Sequence, residues 1–265
     1  MNRTQQRIEE INKIGYQLDF SNVFNHAFEN YKKIALYAGS IILIFYFILG
    51  LFGSSVIISL FGIESFTKES LENLQQAKFT GTSLAIYMAS MILLAVFTAP
   101  FTAGFLKMAD CADKDKEFNV ATIFYYYKLP YLTNIIIATF IISVISIIIS
   151  TTTETISLPL IGGLISLLIS LFTYLTVPLI VFGNLNAIDA IKTSVMLVSK
   201  QPLIIAILLI VAVIAAMVGF IGCCIGVVFT LPFIYSMNYA IYCAIIGADT
   251  LDEVEASNLG PKTFL

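Results

Sequence analysis

The 265-residue chain has one histidine, four cysteines and 12% charged residues, where an ordinary soluble domain carries about 25% charge. With His26 as the only histidine, no histidine cluster can hold a metal and no Ser-His-Asp set can be assembled. His26 itself falls on an amphipathic stretch and reads as an interfacial residue. The cysteines, Cys111, Cys223, Cys224 and Cys243, form no second pair and have no histidine nearby, so zinc spacing is absent. The adjacent Cys223 and Cys224 read as small packing residues at a turn. No Asp, Glu, Lys, Arg or His occurs in Ile34–Ile63, Gly81–Leu106, Tyr131–Thr153, Thr155–Asn186 or Pro202–Ala248. Proton or sodium coupling normally leaves ionisable groups inside the spans, so those windows disfavour a coupled transporter. No basic patch is large enough for nucleic acid, and no cofactor motif is present.

What the chain has instead is apolar length. Apolar residues make up 58%, and the mean hydropathy is +0.92. A helix needs about 20 apolar residues to cross roughly 30 Å of hydrocarbon. The first four charge-free windows predict one span each. The fifth would be roughly 70 Å long as a single helix, twice a bilayer, so it must fold back. The predicted fold class is therefore all-α, a polytopic bundle of six transmembrane helices. The fold-back is placed at Gly219–Gly226, with a break at Thr230–Pro232 as the other choice. The polar residues before the first span read as no signal peptide. Twelve of the fourteen lysines and arginines fall on one side of this topology, and only Lys68 and Lys78 on the other. Positive residues mark the cytoplasmic side, so both termini are predicted cytoplasmic.

Three amphipathic stretches precede spans one, three and five. Ser21 is placed to cap the first, whose stripe is Val23, Phe24, Ala27, Phe28 and Tyr31. Asn119–Leu132 is the second. The third, Asn186–Ile204, carries Ile188, Ile191, Val195 and Val198, with Lys192 and Lys200 elsewhere. Helices of this kind lie on a leaflet, and these are expected on the cytoplasmic one. The returning spans each carry Thr-x-Pro: Thr98 and Pro100, Thr176 and Pro178, Thr230 and Pro232. Proline kinks a helix, and a hydroxyl can help satisfy the freed backbone. The densest polar stripe is Tyr235, Asn238, Tyr239 and Tyr242, on one face at spacings of three and four. It reads either as helix–helix hydrogen bonding or as a lining for a lipid headgroup or small solute. The organisation is an amphipathic region over 1–33, a membrane domain over 34–248 and an acidic tail over 249–265. A short helix is predicted around Glu69–Ala77 in the first outer connection.

Two segments, Lys13–Ile44 and Val177–Tyr242, carry a loose common pattern: an Ala-x-Lys-x-Ser helix (Ala190, Lys192, Ser194), a span, a glycine-rich turn, and Thr-x-Pro-Phe (Thr230–Phe233) leading to Tyr239 or Tyr242. The pattern resembles that of uncharacterised bacterial six-span proteins, similar to the membrane domain attached to some glycerophosphodiester phosphodiesterases. The resemblance implies a bacterial cytoplasmic membrane and no known activity for the membrane part. The phosphodiesterase domain is absent, so none of its catalytic residues carries over. The expectation is a non-enzymatic membrane protein that binds membrane lipids or scaffolds a cytoplasmic or membrane protein partner. A transporter or permease for an uncharged or lipophilic solute is the alternative.

Overall fold

A computed structural model of the chain describes residues 3–61, 67, 81–156, 158–222 and 225–247. Every regular element among them is helical. Six stretches are long and apolar enough to cross a membrane: Phe20–Ser55, Leu84–Asp113, Tyr131–Thr155, Leu160–Val181, Pro202–Ile221 and Gly226–Ile246. The protein is an all-α, multi-pass membrane protein, as the charge-free windows predict. The helices are α1 (Arg3–Ile14), α2 (Phe20–Phe61), α3 (Thr82–Asp113), α4 (Val120–Ile123), α5 (Tyr131–Thr155), α6 (Pro159–Phe172), α7 (Thr176–Val181), α8 (Ala187–Lys200), α9 (Pro202–Val218), α10 (Ile225–Thr230) and α11 (Pro232–Ile246). Tight 3-10 turns occur at Tyr125–Tyr127 and Gly219–Gly222. Cys223, Cys224, the stretch 69–77, Lys68, Lys78 and the tail 249–265 lie outside the described residues.

Local chemistry sets most boundaries. Pro159, Pro202 and Pro232 open α6, α9 and α11, where a missing N–H costs no intrahelical bond. Asn186 caps α8 by accepting from the Asp189 N–H at 2.9 Å. Asp19, not Ser21, caps α2: its carboxylate accepts the Asn22 N–H at 2.7 Å. The first amphipathic stretch is not a separate helix, because α2 runs unbroken for 42 residues through it and into the span. The second folds only as the short α4 and the 3-10 turn that follows. The third is a full helix, α8.

The fold-back between spans five and six falls at Gly219–Gly226. A Cβ on Gly226 would meet the Gly219 carbonyl, so the two backbones approach at a distance that only glycine permits. The Thr-x-Pro expectation needs correcting. Pro100 lies inside a continuous α3, whereas span four breaks at Thr173–Leu175 and span six at Leu231. The carbonyl without a donor at Pro100 is that of Val96. Thr98 Oγ1 donates instead to the Leu94 and Ala95 carbonyls at 2.9 and 3.2 Å. The buried Thr176 Oγ1 has no hydrogen-bond partner. Thr230 Oγ1 reaches across the hairpin to the Ala216 carbonyl at 2.6 Å. Thr98 thus leaves the Val96 carbonyl unserved, while Pro178 and Pro232 stand in first turns, where no intrahelical bond is lost. The break in span four is bridged from another helix: Ser194 Oγ donates to the Phe172 carbonyl at 2.8 Å and accepts the Leu175 N–H at 3.1 Å.

Burial is strongly polarised. The fully buried side chains cluster where the ends of α2, α3 and α11 meet α1, α7 and α8. The window of the sixth span is 61% buried, that of the third only 11%. The sixth is the hub, with α11 packed against α2, α3, α7 and α9. The linker between α1 and α2 is fixed to this end as well. Gln201, at the α8–α9 junction, accepts the Leu18 N–H at 3.0 Å and donates to the Tyr16 carbonyl at 2.6 Å. Tyr16 donates its hydroxyl to the Leu197 carbonyl at 2.8 Å, and burial raises its pKa.

Candidate functional site

The buried end of the bundle holds a group of ionisable side chains that the charge-free windows do not reveal. Reading span two as ending at Leu106 is too short. The helix continues to Asp113 and carries Lys107, Asp110 and Asp113 at intervals of three. Two such steps keep all three near one face. Lys107 and Asp110 are only 7% and 1% exposed.

Each charge is matched. Asp110 accepts from Lys107 Nζ at 2.8 Å through one oxygen and from Lys114 Nζ at 3.0 Å through the other. Asp113 lies 2.7 Å from His26 Nε2 on α2. The Tyr239 hydroxyl on α11 is shared between Asp113 at 3.2 Å and Asp110 at 3.4 Å, so a single phenolic proton bridges the two carboxylates. Lys33 donates to the Ala112 carbonyl at 2.9 Å and to Asp115 at 2.6 Å, covering the free end of α3. Below this layer Asn30 donates to the Ala109 carbonyl at 2.7 Å and accepts from Ser236 Oγ at 3.0 Å. The cluster therefore ties α2, α3 and α11 together at two levels. Three carboxylates, Asp110, Asp113 and Asp115, face three lysines and His26. In a low-dielectric setting a charge left without a partner would be costly, and here each has one.

Aromatic rings wall the cluster. Tyr239 packs edge-on against Phe182 at 5.7 Å and against His26 at 6.0 Å. Lys107 and Lys128 both lie over the Tyr125 ring, at 5.0 and 5.1 Å. Tyr235 stacks on Phe105 at 4.8 Å.

The residues singled out from sequence are scattered across this architecture. Tyr239 alone joins the ionic cluster. Tyr242 is buried beside Phe182, with ring centres 5.5 Å apart. Asn238 keeps a buried carbonyl oxygen without a partner, as Thr176 does its hydroxyl. Pro100, Pro178 and Pro232 are buried, and Thr98 is half-buried. Two cavities stand out. One of about 590 Å³ opens between α1 and the end of α11. The other, about 340 Å³, lies between α3, α5 and α6, lined partly by Ser143, Ser146, Ser170 and Thr173. None of the nine predicted lining or kink residues borders either one. His26, Asn30, Lys107, Asp110, Asp113, Lys114 and Ser236 were missed as a group. The readable signal was the spacing in "KMADCADK", which continues the helical period of span two past its apolar window. No group of three or more potential metal ligands converges among the described residues.

No family model, curated protein or solved structure matches the chain.

Proposed function

We propose that this is a non-enzymatic, multi-pass protein of a bacterial cytoplasmic membrane, with both termini cytoplasmic, that binds anionic lipid headgroups at its lysine-rich end. The surface of α8 carries the proposal. Its Ala190, Ser194 and Leu197 are buried against the bundle, while Ile188 and Val195 stand 53% and 39% exposed beside the exposed Lys192 and Lys200. A helix already docked on one side has no internal use for a second apolar stripe flanked by cations. Such a stripe suits the boundary between acyl chains and headgroups. An aromatic ladder on α2 supports the same reading. Phe20, Phe24 and Phe28 stack at 6.0 and 6.2 Å, with Lys32 Nζ over the Phe28 ring at 5.4 Å. The ionic cluster beneath is fully paired, so its role is to hold the platform together, which favours a binding protein over an enzyme.

The test is lipid retention. Protein purified in mild detergent from mixed membranes should retain anionic over zwitterionic phospholipid. Changing Lys128 and Lys192 together to Gln should remove most of that preference. Retention equal to that of an unrelated six-span protein would overturn the proposal, and a stoichiometric co-purifying protein in its place would favour scaffolding. The serine-lined groove between α3, α5 and α6 supports a second reading, passage of an uncharged or lipophilic solute. Uptake by vesicles containing the protein, abolished by Ser143→Leu, would favour it.

A further inference from the structure

We infer that the groove between α1 and the end of α11 is the docking site for this chain's own acidic segment, residues 249–255. One wall is the outer face of α1, with Arg3, Gln6, Arg7 and Glu10. The other is the last turn of α11 through Gly247. The volume, about 590 Å³, suits a few residues of extended peptide. The α1 wall is rigidly placed: Thr4 and Ile11 are both fully buried beneath it, and Lys200 Nζ holds the Asn12 carbonyl at 3.1 Å.

Charge identifies the occupant. The α1 wall presents two arginines and one carboxylate, Glu10, which lies 2.7 Å from Arg7. The segment that follows Gly247 carries Asp249, Asp252, Glu253 and Glu255, and no basic residue before Lys262. Connectivity agrees with charge. Gly247 lines the groove with a φ of 103°, a backbone conformation that favours glycine, and the segment continues directly from it in sequence. Arg3 to Glu10 spans roughly 10 Å of helix at 1.5 Å per residue. Asp252 and Glu253 follow Gly247 closely enough to reach all of that length at roughly 3.3 Å per residue. A tethered segment also has an effective concentration on the order of millimolar, which a free acidic peptide would have to match. The docked segment would cap the end of α11 and shield both arginines from anionic headgroups.

The full chain in micelles provides the test, through the rate at which a Glu-specific protease cuts after Glu253 and Glu255. In the native chain the segment is protected, and the doubly substituted R3E/R7E chain is cut roughly three to ten times faster, the effect expected of a few exposed ion pairs. Salt at 0.5 M speeds cleavage of the native chain by screening those pairs. D252R/E253R, which leaves the groove untouched, likewise exposes Glu255, and combining it with R3E/R7E restores protection by reversing both partners. Equal rates in the native, R3E/R7E and D252R/E253R chains would overturn the inference, as would failure of the combined variant to regain protection. Lipid retention is measured separately through Lys128 and Lys192, with Lys200, which holds α1, left in place, so the two proposals can fail independently.

Discussion

The two ends of this bundle are built differently from the same kinds of helix. At the lysine-rich end, α2, α3 and α11 converge, and Tyr239, Tyr242, Phe105 and Met108 are fully enclosed. Toward the other end α2, α3 and α5 display Phe47, Phe52, Leu93 and Ile148, all more than half exposed. In water that surface would be a large liability. In hydrocarbon it has none of the hydrophobic cost that drives soluble folding, so the outer halves can stay loosely joined. Order is concentrated where polar groups need partners. The lesson is that packing here follows hydrogen-bond and charge demand more than apolar content.

That contrast can be broken at its strongest point first. Asp110→Ala removes the partner of two lysines in a buried setting and should cost about 3–5 kcal/mol. Unfolding of the purified protein in micelles measures it, and a change below about 1 kcal/mol would mean the ionic cluster does not organise the fold. Next comes Gly104→Ala. The new Cβ would meet the Ile123 backbone, which cannot retreat as a side-chain tip could, so a loss of about 1–3 kcal/mol is expected. Ser194→Ala strands the Phe172 carbonyl and the Leu175 N–H at the break in span four, for a similar loss of about 1–3 kcal/mol. Hydrogen exchange at Leu175 would localise the damage.

The outer half should barely respond. Gly50 has nothing within 4 Å of where a Cβ would stand, so Gly50→Ala should stabilise by about 0.5–1 kcal/mol through helix propensity. Ile148, 54% exposed, should tolerate Ala within about 0.5 kcal/mol. If Ile148→Ala proved as damaging as Ser194→Ala, the outer half would be closed by contacts with another chain, and the contrast between the two ends would be lost.

Much of the fold was legible without coordinates. The spans, the glycine fold-back and α8 with its Asn186 start are each set by residues close together in the chain. Other features were not. The amphipathic stretch at Ser21–Lys33 has the composition of a surface helix, but it continues into the span because its buried face, Val23, Ala27 and Asn30, meets α11 more than 200 positions away. His26 looked interfacial because Asp113 is 87 residues off. The hydroxyls of Thr98 and Thr176 looked like helpers for their prolines. The span-four break is served instead by Ser194, from a different helix.

The sequence by itself determined how many times this chain crosses the apolar layer and which end collects its cations. Hydrocarbon rejects charge residue by residue, so that answer needs only local composition. Only the tertiary structure decided that Lys107, Asp110, Asp113, His26 and Tyr239 form one paired cluster, and that α11 stands at its centre. Pairing depends on distances of about 3 Å between groups on three separate helices, and no local pattern in the chain encodes those distances.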